Sequence, residues 1–268
     1  MTIRCFSYGG GVQSTAALVL AARREIDFPL FLFSNVGDDS EHPATLRYVL
    51  DNAMPYAAQH GIELVMLRYL LRDGRERTLL QKLTTPGSRS TGIPIYLEGS
   101  GAPGRRSCTS NYKILRIRKE LRRRGASRRD PAVVGLGISV DEYQRMRTDS
   151  GFADQILDYP LIDLRLTRHD CIRIIQHAGL PVPPKSSCWF CPFHRPSVWM
   201  HMRQTEPDLF WQAVALEKTL SDRSDAVLGR GKVFLTRFLV PLDRAIGDQA
   251  LLDFDTPDDI CESGYCMT

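Results

Sequence analysis

The chain has 268 residues, with 43% apolar and 25% charged side chains and 35 Lys+Arg against 31 Asp+Glu, a formal net charge of +4. This is ordinary globular composition, which excludes collagen-like, coiled-coil and wholly disordered chains, and the length gives one large domain or a domain with a smaller appendage. No stretch approaches the roughly 20 uninterrupted apolar residues of a membrane span, and Met1 leads straight to Arg4 and a glycine loop, so a cytoplasmic protein without a membrane partner is expected.

In chain order, residues 3–8 read as an apolar strand, 14–25 as a helix, 29–34 as a second strand and 43–60 as a second helix. Residues 63–67 follow as a third strand. Residues 84–106, rich in Gly, Ser, Thr and Pro, read as a long loop of the kind that is more often functional than idle. A helix over 111–124 carries Ile114, Leu115, Ile117 and Leu121 at near-helical spacing, and 132–138 forms a fourth strand. From residue 167 the pattern turns helical, over 167–178 and 196–221, interrupted by a Pro- and Cys-containing segment at 180–194. Alternation of strands and helices predicts βαβ units and a parallel sheet covered on both faces. The expected fold class is α/β, a doubly wound, mostly parallel sheet of about five strands. It is expected over residues 1–165, with a helical, cysteine-bearing portion over 166–268.

The modest net charge hides an asymmetry. Between Arg105 and Asp130 eleven Lys/Arg face only Glu120 and Asp130, a local balance of +9 that leaves −5 for the rest. Much of it lies on the 111–124 helix, where Arg116, Arg122, Arg123 and Arg124 form either a solvated face or a surface for a phosphate-rich partner.

Thiols stay reduced in the cytoplasm, so the seven cysteines are metal ligands, redox thiols or core residues before they are disulfides. Cys188-Trp189-Phe190-Cys191-Pro192-Phe193-His194 has the two-residue spacing that lets two sulfurs face one ion, with a proline of the kind common beside cluster cysteines. Cys108 sits beside Arg105 and Arg106, which favour a thiolate, and precedes a helix whose N-terminus favours it further. Cys108, Cys188 and Cys191 are therefore the first candidate ligands, with Cys261 or Cys266 as a fourth ligand or a redox pair. Three open alternatives follow: a [4Fe-4S] cluster with one free iron position, a closed four-cysteine Zn²⁺ or cluster site, or redox thiols. Cys5 and Cys171 read as core, and His194 as a hydrogen-bond partner beside the thiols.

The clearest motif is Ser7-Tyr8-Gly9-Gly10-Gly11-Val12-Gln13-Ser14-Thr15, a glycine-rich turn between a strand and a helix. Backbone N–H groups in such a turn, with the positive end of the helix dipole, bind phosphate without cationic side chains. No Gly-Lys-Ser/Thr follows and the glycine spacing is not that of a dinucleotide fold. The turn resembles the PP-loop of the ATP pyrophosphatase (adenine nucleotide alpha-hydrolase) superfamily, in the branch similar to phosphoadenosine phosphosulfate reductases. Three further segments are similar to that branch in the same order: residues 33–43 with Asp38, Asp39 and Glu41, residues 137–147 with Glu142, Arg145 and Arg147, and Tyr159-Pro160-Leu161 with Arg168-His169-Asp170 and the Cys188 to His194 segment downstream.

The resemblance implies that Ser7, Gly9, Gly10, Gly11, Gln13, Ser14 and Thr15 hold the pyrophosphate of ATP, with Asp38 and Glu41 near the adenosine. Gln13, Ser14, Asp38, Glu142 and Arg145 are the implied catalytic residues. Arg147 and the arginines of the 111–124 helix are the implied contacts to substrate phosphates. Gly9 replaces the family's first Ser and Gln13 its Asp, so Mg²⁺ is left to phosphates, water and another acid, among Asp38, Asp39, Asp141 and Glu142. Ser139 stands where sulfonucleotide reductases carry Arg. The implied activity is ATP-dependent adenylation of a nucleotide or nucleic-acid substrate, tRNA or DNA, followed by transfer of sulfur from a donor. The alternatives are sulfonucleotide reduction by Cys261 and Cys266, and a non-catalytic accessory subunit that only binds nucleotide or nucleic acid.

Overall fold

The computed structural model describes residues 2–88, 92–229 and 231–247. Strand β1 (Arg4–Tyr8) leads through the glycine turn into α1 (Val12–Ala22) and β2 (Leu30–Ser34). Next come α2 (Pro43–Tyr48), a π-helical stretch (Val49–Ala53), α3 (Met54–Gln59) and β3 (Glu63–Leu67). Helix α4 (Leu79–Thr84), the short β4 (Tyr96–Leu97), a π-helical turn (Thr109–Ile114) and α5 (Leu115–Arg123) follow. Strands β5 (Ala132–Leu136) and β6 (Gln155–Asp158) flank a 3-10 segment, Val140–Arg145. The chain ends its described course in α6 (Pro160–Asp163), α7 (Arg168–His177), α8 (Pro196–Thr205), α9 (Pro207–Leu228), β7 (Val233–Phe234) and α10 (Leu242–Ala245).

Five strands form one sheet in the order β3-β2-β1-β5-β6, every neighbouring pair parallel. A parallel sheet needs cover on both faces, and alternation along β1 supplies an apolar surface to each. Phe6 and Tyr8 join Phe31 and Phe33 of β2 under α1, α3 and α7. Cys5, Leu30, Leu32 and Val134 meet Ile117 and Leu121 of α5 on the opposite face. The portion beyond residue 166 is divided between two cores. Cys171 and Ile175 of α7 pack with α1, whereas Trp199, Phe210 and Leu216 of α8 and α9 build a further cluster with Leu79, Ile93, Ile95 and Trp189.

The α/β expectation holds at the level of this parallel sheet with flanking helices. Four local expectations need correction. The 43–60 helix is interrupted by the π stretch. The 196–221 helix breaks at Glu206, whose non-helical backbone (φ −137°, ψ 57°) precedes Pro207, and then runs on to Leu228. The 84–106 loop contains β4, paired antiparallel with β7, and buries Ile93 and Ile95. Strand β6, over residues to which the sequence assigned no element, forms the sheet edge; it has only four residues, and Ile156 is exposed.

Two devices in this scaffold generate measurable expectations. Gly135 on β5 lies where a Cβ would come within 2.6 Å of Phe6 and 2.7 Å of Phe28, whose rings pack edge to face. Gly135→Ala should lower stability by about 1–3 kcal/mol in urea unfolding, the usual cost of overpacking; an unchanged midpoint and slope would show that the two rings move aside freely. Glu217 of α9 accepts the backbone N–H groups of Leu235 and Leu242 at 2.5 and 2.7 Å, and burial pushes its carboxyl up to about 7. A raised folded-state value favours the protonated form, so this group's contribution to stability is greatest at acid pH and falls as pH rises through 7. Relative to Glu217→Gln, which keeps a neutral side chain at every pH, the parent's melting temperature should therefore fall between pH 5 and pH 8, and a constant offset would refute it.

Candidate functional site

The sheet order reverses between β1 and β5, because β1 is followed by a connection toward β2 and β5 by one toward β6. In open α/β sheets the crevice beyond the carboxyl ends of two such strands is the ligand site. Here the glycine turn enters it from β1 and Gly137 from β5. Gly10 adopts φ +78°, and a Cβ on it would lie 3.1 Å from Thr45 Cγ2. Gly137 passes so close to α1 that a Cβ would sit 3.2 Å from the Ser14 backbone N. Both close approaches demand glycine. Ser14 Oγ accepts the Gly11 N–H at 3.2 Å and donates to the Gly11 carbonyl at 3.1 Å, while Thr15 Oγ1 pairs with Tyr8 Oη at 3.0 Å. The 11-residue α1 thus presents its N-terminus to the crevice in a fixed orientation.

The cleft is lined by Gly9, Gly11, Gln13 and Ser14 on one side and by Glu142, Arg145 and Arg168 on another. Lys113, Lys185, Cys191 and His194 complete the wall. Gln13 is the hub. Its Nε2 donates to Glu142 Oε2 at 3.2 Å and its Oε1 accepts from Arg168 Nη1 at 3.1 Å, while Arg145 Nη1 donates to the same Glu142 oxygen at 2.7 Å. Glu142 and Arg145 are both buried. Burial raises the Glu142 carboxyl above the ordinary range, outweighing Arg145.

The cysteine segment straps across the turn. Ser186 Oγ donates to the Gly9 carbonyl, His42 N–H to the Ser187 carbonyl at 3.1 Å, and Trp189 N–H to the Ser40 carbonyl at 3.3 Å. Cys191 N–H closes a turn onto the Cys188 carbonyl at 3.1 Å. His194 is buried, pairs with Ser187 Oγ at 2.9 Å and stacks near Trp199. Burial pushes its imidazole down to about 3, so it is neutral, in keeping with a hydrogen-bonding rather than a charged role. The Arg106 guanidinium lies 5.1 Å from the Phe193 ring centroid, which brings the Cys108 segment beside the strap. Cys108 and Cys188 pack against the same apolar cluster, and none of the described cysteines is in a disulfide. Among the described residues no three His, Cys, Asp or Glu side chains form a group that could hold a metal ion. Cys261 and Cys266 lie outside the described residues.

Of the other expected site residues, several lie away from the cleft. Asp38 accepts both Arg68 Nη2 contacts at 2.9 Å and Asn35 at 2.7 Å; these hydrogen bonds overcome partial burial and hold its carboxyl below the ordinary range. Glu41 is fully buried, 4.0 Å from Lys113 Nζ. Ser7 and Arg147 line a neighbouring, mostly apolar cavity with Ile117, Val134 and Leu136, which Lys113 also borders. The basic helix is engaged within the fold. Arg122 pairs with Asp154 at 3.5 Å, Arg123 with Glu120 at 2.7 Å and Arg124 with Glu63 at 2.6 Å, while Arg116 stacks over Tyr69 at 4.4 Å. None of these four arginines lines the cleft. Lys185 and Lys113, in contrast, line it without having been singled out from the sequence, and Arg168, part of the fourth segment of the resemblance, lines it as well. Thr167 caps α7 and so sets Arg168 at its first turn, which was a readable signal.

No protein-family model and no curated protein matches the chain. Among the described residues, no helix is long and apolar enough to cross a membrane.

Gly10 generates the test of this geometry. Gly10→Val adds a branched side chain at φ +78° against Thr45 and Val49 and should lower the melting temperature and open the turn. A variant of parental stability would mean that the turn is not held in the described conformation.

Proposed function

We propose that the chain is an ATP pyrophosphatase of the PP-loop type that activates an acceptor for sulfur transfer. The observation that carries this reading is that the glycine turn at the sheet's switch point and the Cys191 thiol line one cleft. Gly9, Gly10, Gly11, Ser14 and the α1 N-terminus receive the β,γ-pyrophosphate, the arrangement a phosphate group favours at a helix start. An oxygen of a nucleotide or nucleic-acid acceptor attacks the α-phosphorus; the new P–O bond forms as the α–β anhydride bond breaks, and pyrophosphate leaves with the electron pair. Arg145 and Arg168 face the charge that accumulates on the departing phosphates.

The second half exchanges the activated oxygen for sulfur. A persulfide on Cys191, loaded by a sulfur donor, attacks the activated carbon, and AMP departs with the oxygen. Cys188, two residues away, then attacks the Cys191 sulfur, forming a Cys188–Cys191 disulfide and releasing the thiolated product. A dithiol reductant resets the pair. The three thiols Cys108, Cys188 and Cys191 also have the donor chemistry for a [4Fe-4S] cluster, which would supply an open iron for exogenous sulfide. Because Cys191 itself lines the cleft, the sulfur step is assigned to the thiols.

Incubation with ATP and candidate acceptors should release pyrophosphate and AMP. Cys191→Ser should abolish sulfur incorporation while sparing pyrophosphate release, because it removes the second nucleophile and not the first. Loss of both activities together would place Cys191 in structure rather than chemistry. Anaerobic purification with iron and acid-labile sulfide analysis tests the assignment separately. A brown protein that loses iron when Cys108, Cys188 or Cys191 becomes Ser would move the sulfur-carrying role from the thiol to a cluster.

A further inference from the structure

The family resemblance brings an expected divalent cation with it, and the residues of this cleft do not fit one. Mg²⁺ takes hard oxygen ligands in octahedral geometry, usually one or two carboxylates together with phosphates and water. The loop position that could supply a carboxylate is Gln13, and its amide oxygen already accepts from Arg168 at 3.1 Å. Glu142 is the single carboxylate among the described residues lining the cleft, and one of its oxygens takes both Arg145 and Gln13. The other acids named by sequence are committed elsewhere. Asp38 is held by Arg68, Asp39 accepts from Ser40 and Thr78, and Asp141 accepts the Arg168 backbone N–H at the start of α7.

Against that single carboxylate the cleft sets four cationic side chains, Lys113, Arg145, Arg168 and Lys185; Lys113 also lies 4.0 Å from the buried Glu41 carboxylate, which leaves a surplus of two positive charges. They come from separate segments: Lys113 from the turn before α5, Arg145 from the 3-10 segment after β5, Arg168 from the start of α7, and Lys185 from the strap. The α1 N-terminus adds its own positive end. A dication placed among them would meet more positive than negative side chains, whereas a polyphosphate would find a complementary charge on each cation. Guanidinium groups suit this role because they can meet two phosphate oxygens at once.

We propose that the cleft neutralises its bound polyphosphate with Lys113, Arg145, Arg168 and Lys185 in place of a protein-held Mg²⁺. The proposal rests on the reading of the cleft as a polyphosphate site, and it assigns Lys113, Arg168 and Lys185 as anion-binding residues. Gln13 is a positioning residue in this scheme. Its amide links Arg168 to Glu142 without the negative charge that would draw a metal into the cleft.

The test is calorimetric titration of the full chain with ATP and with inorganic pyrophosphate, once in EDTA and once in excess Mg²⁺. Affinity in EDTA should equal or exceed that in Mg²⁺, since the metal masks the phosphate charge that the side chains recognise. Lys185→Ala, at an exposed position of the strap, should weaken binding in EDTA by about tenfold or more without changing the melting temperature. Gln13→Asp should reverse the preference, losing affinity in EDTA and regaining it with Mg²⁺. Binding of the parent that is tighter in Mg²⁺ by about tenfold or more overturns the inference and leaves the polyphosphate reading standing. Absence of binding in both conditions overturns the polyphosphate reading itself. A Gln13→Asp protein that still binds equally in EDTA and Mg²⁺ overturns the role given to Gln13.

Discussion

Everything at the site depends on the backbone of one turn being allowed to come close to its neighbours. At Gly10 the chain turns through a left-handed conformation against Thr45 and Val49, and at Gly137 the exit from β5 presses on the first residues of α1. These two contacts bring the carboxyl ends of β1 and β5 together under one helix N-terminus. A side chain at Gly10 would meet Thr45 and Val49 from a left-handed backbone, and one at Gly137 would meet the backbone at the start of α1, so either would strain the approach. The Ser14 and Thr15 hydroxyls act after that, by holding the first helical turn to Gly11 and Tyr8.

Charge in the molecule is arranged at two levels, and they behave differently. The conspicuous basic run is mostly internal currency: Arg118 and Arg122 share Asp154, and Arg123 and Arg124 share Glu120. Exposed pairs of this kind contribute little stability individually, and their carboxylate partners draw the arginines along the helix surface and across to Glu63 and Asp154. The cleft instead gathers its cations one at a time from distant segments, around a carboxylate that is buried and paired. The Arg145–Glu142 pair at 2.7 Å is costly to desolvate, and Gln13 bridges from it to Arg168. The cationic character of the site is therefore a tertiary property.

That distinction explains what was legible in the sequence. Strands β1, β2, β3 and β5 were visible because they are apolar on both faces and bounded by turns, and the glycine turn was visible because its residues are contiguous. Edge strand β6 was not, since four residues with an exposed Ile156 carry no periodic signal. The break before Pro207 was readable from the proline alone. The buried Ile93 and Ile95 were masked by the Gly, Ser and Pro around them. Lys185 and Lys113 could not be chosen over other basic residues without knowing which segments meet, whereas Arg168 stood in a segment of the family resemblance. The abundance of arginine on the helix drew attention to the cations that carboxylates already hold.

The strap makes the two halves of the site interdependent. Ser186 bonds the glycine turn, Ser187 and Trp189 bond the acidic turn after β2, and Glu41 forms a bridge to Cys188. Trp189 Nε1–H also donates to the Asp39 carbonyl at 2.8 Å. Cys191 is thus held at a set position relative to Gly9 by hydrogen bonds on both sides of the intervening chain. The same segment is anchored from below, because Trp189 and Phe190 are buried in the cluster built by α8 and α9. The C-terminal helices consequently do more than cover the sheet: they fix the height of the strap, and with it the separation between the thiol and the helix N-terminus. Under the proposed function, a thiol nucleophile and an anion site brought together in this way need no motion of the sheet to meet.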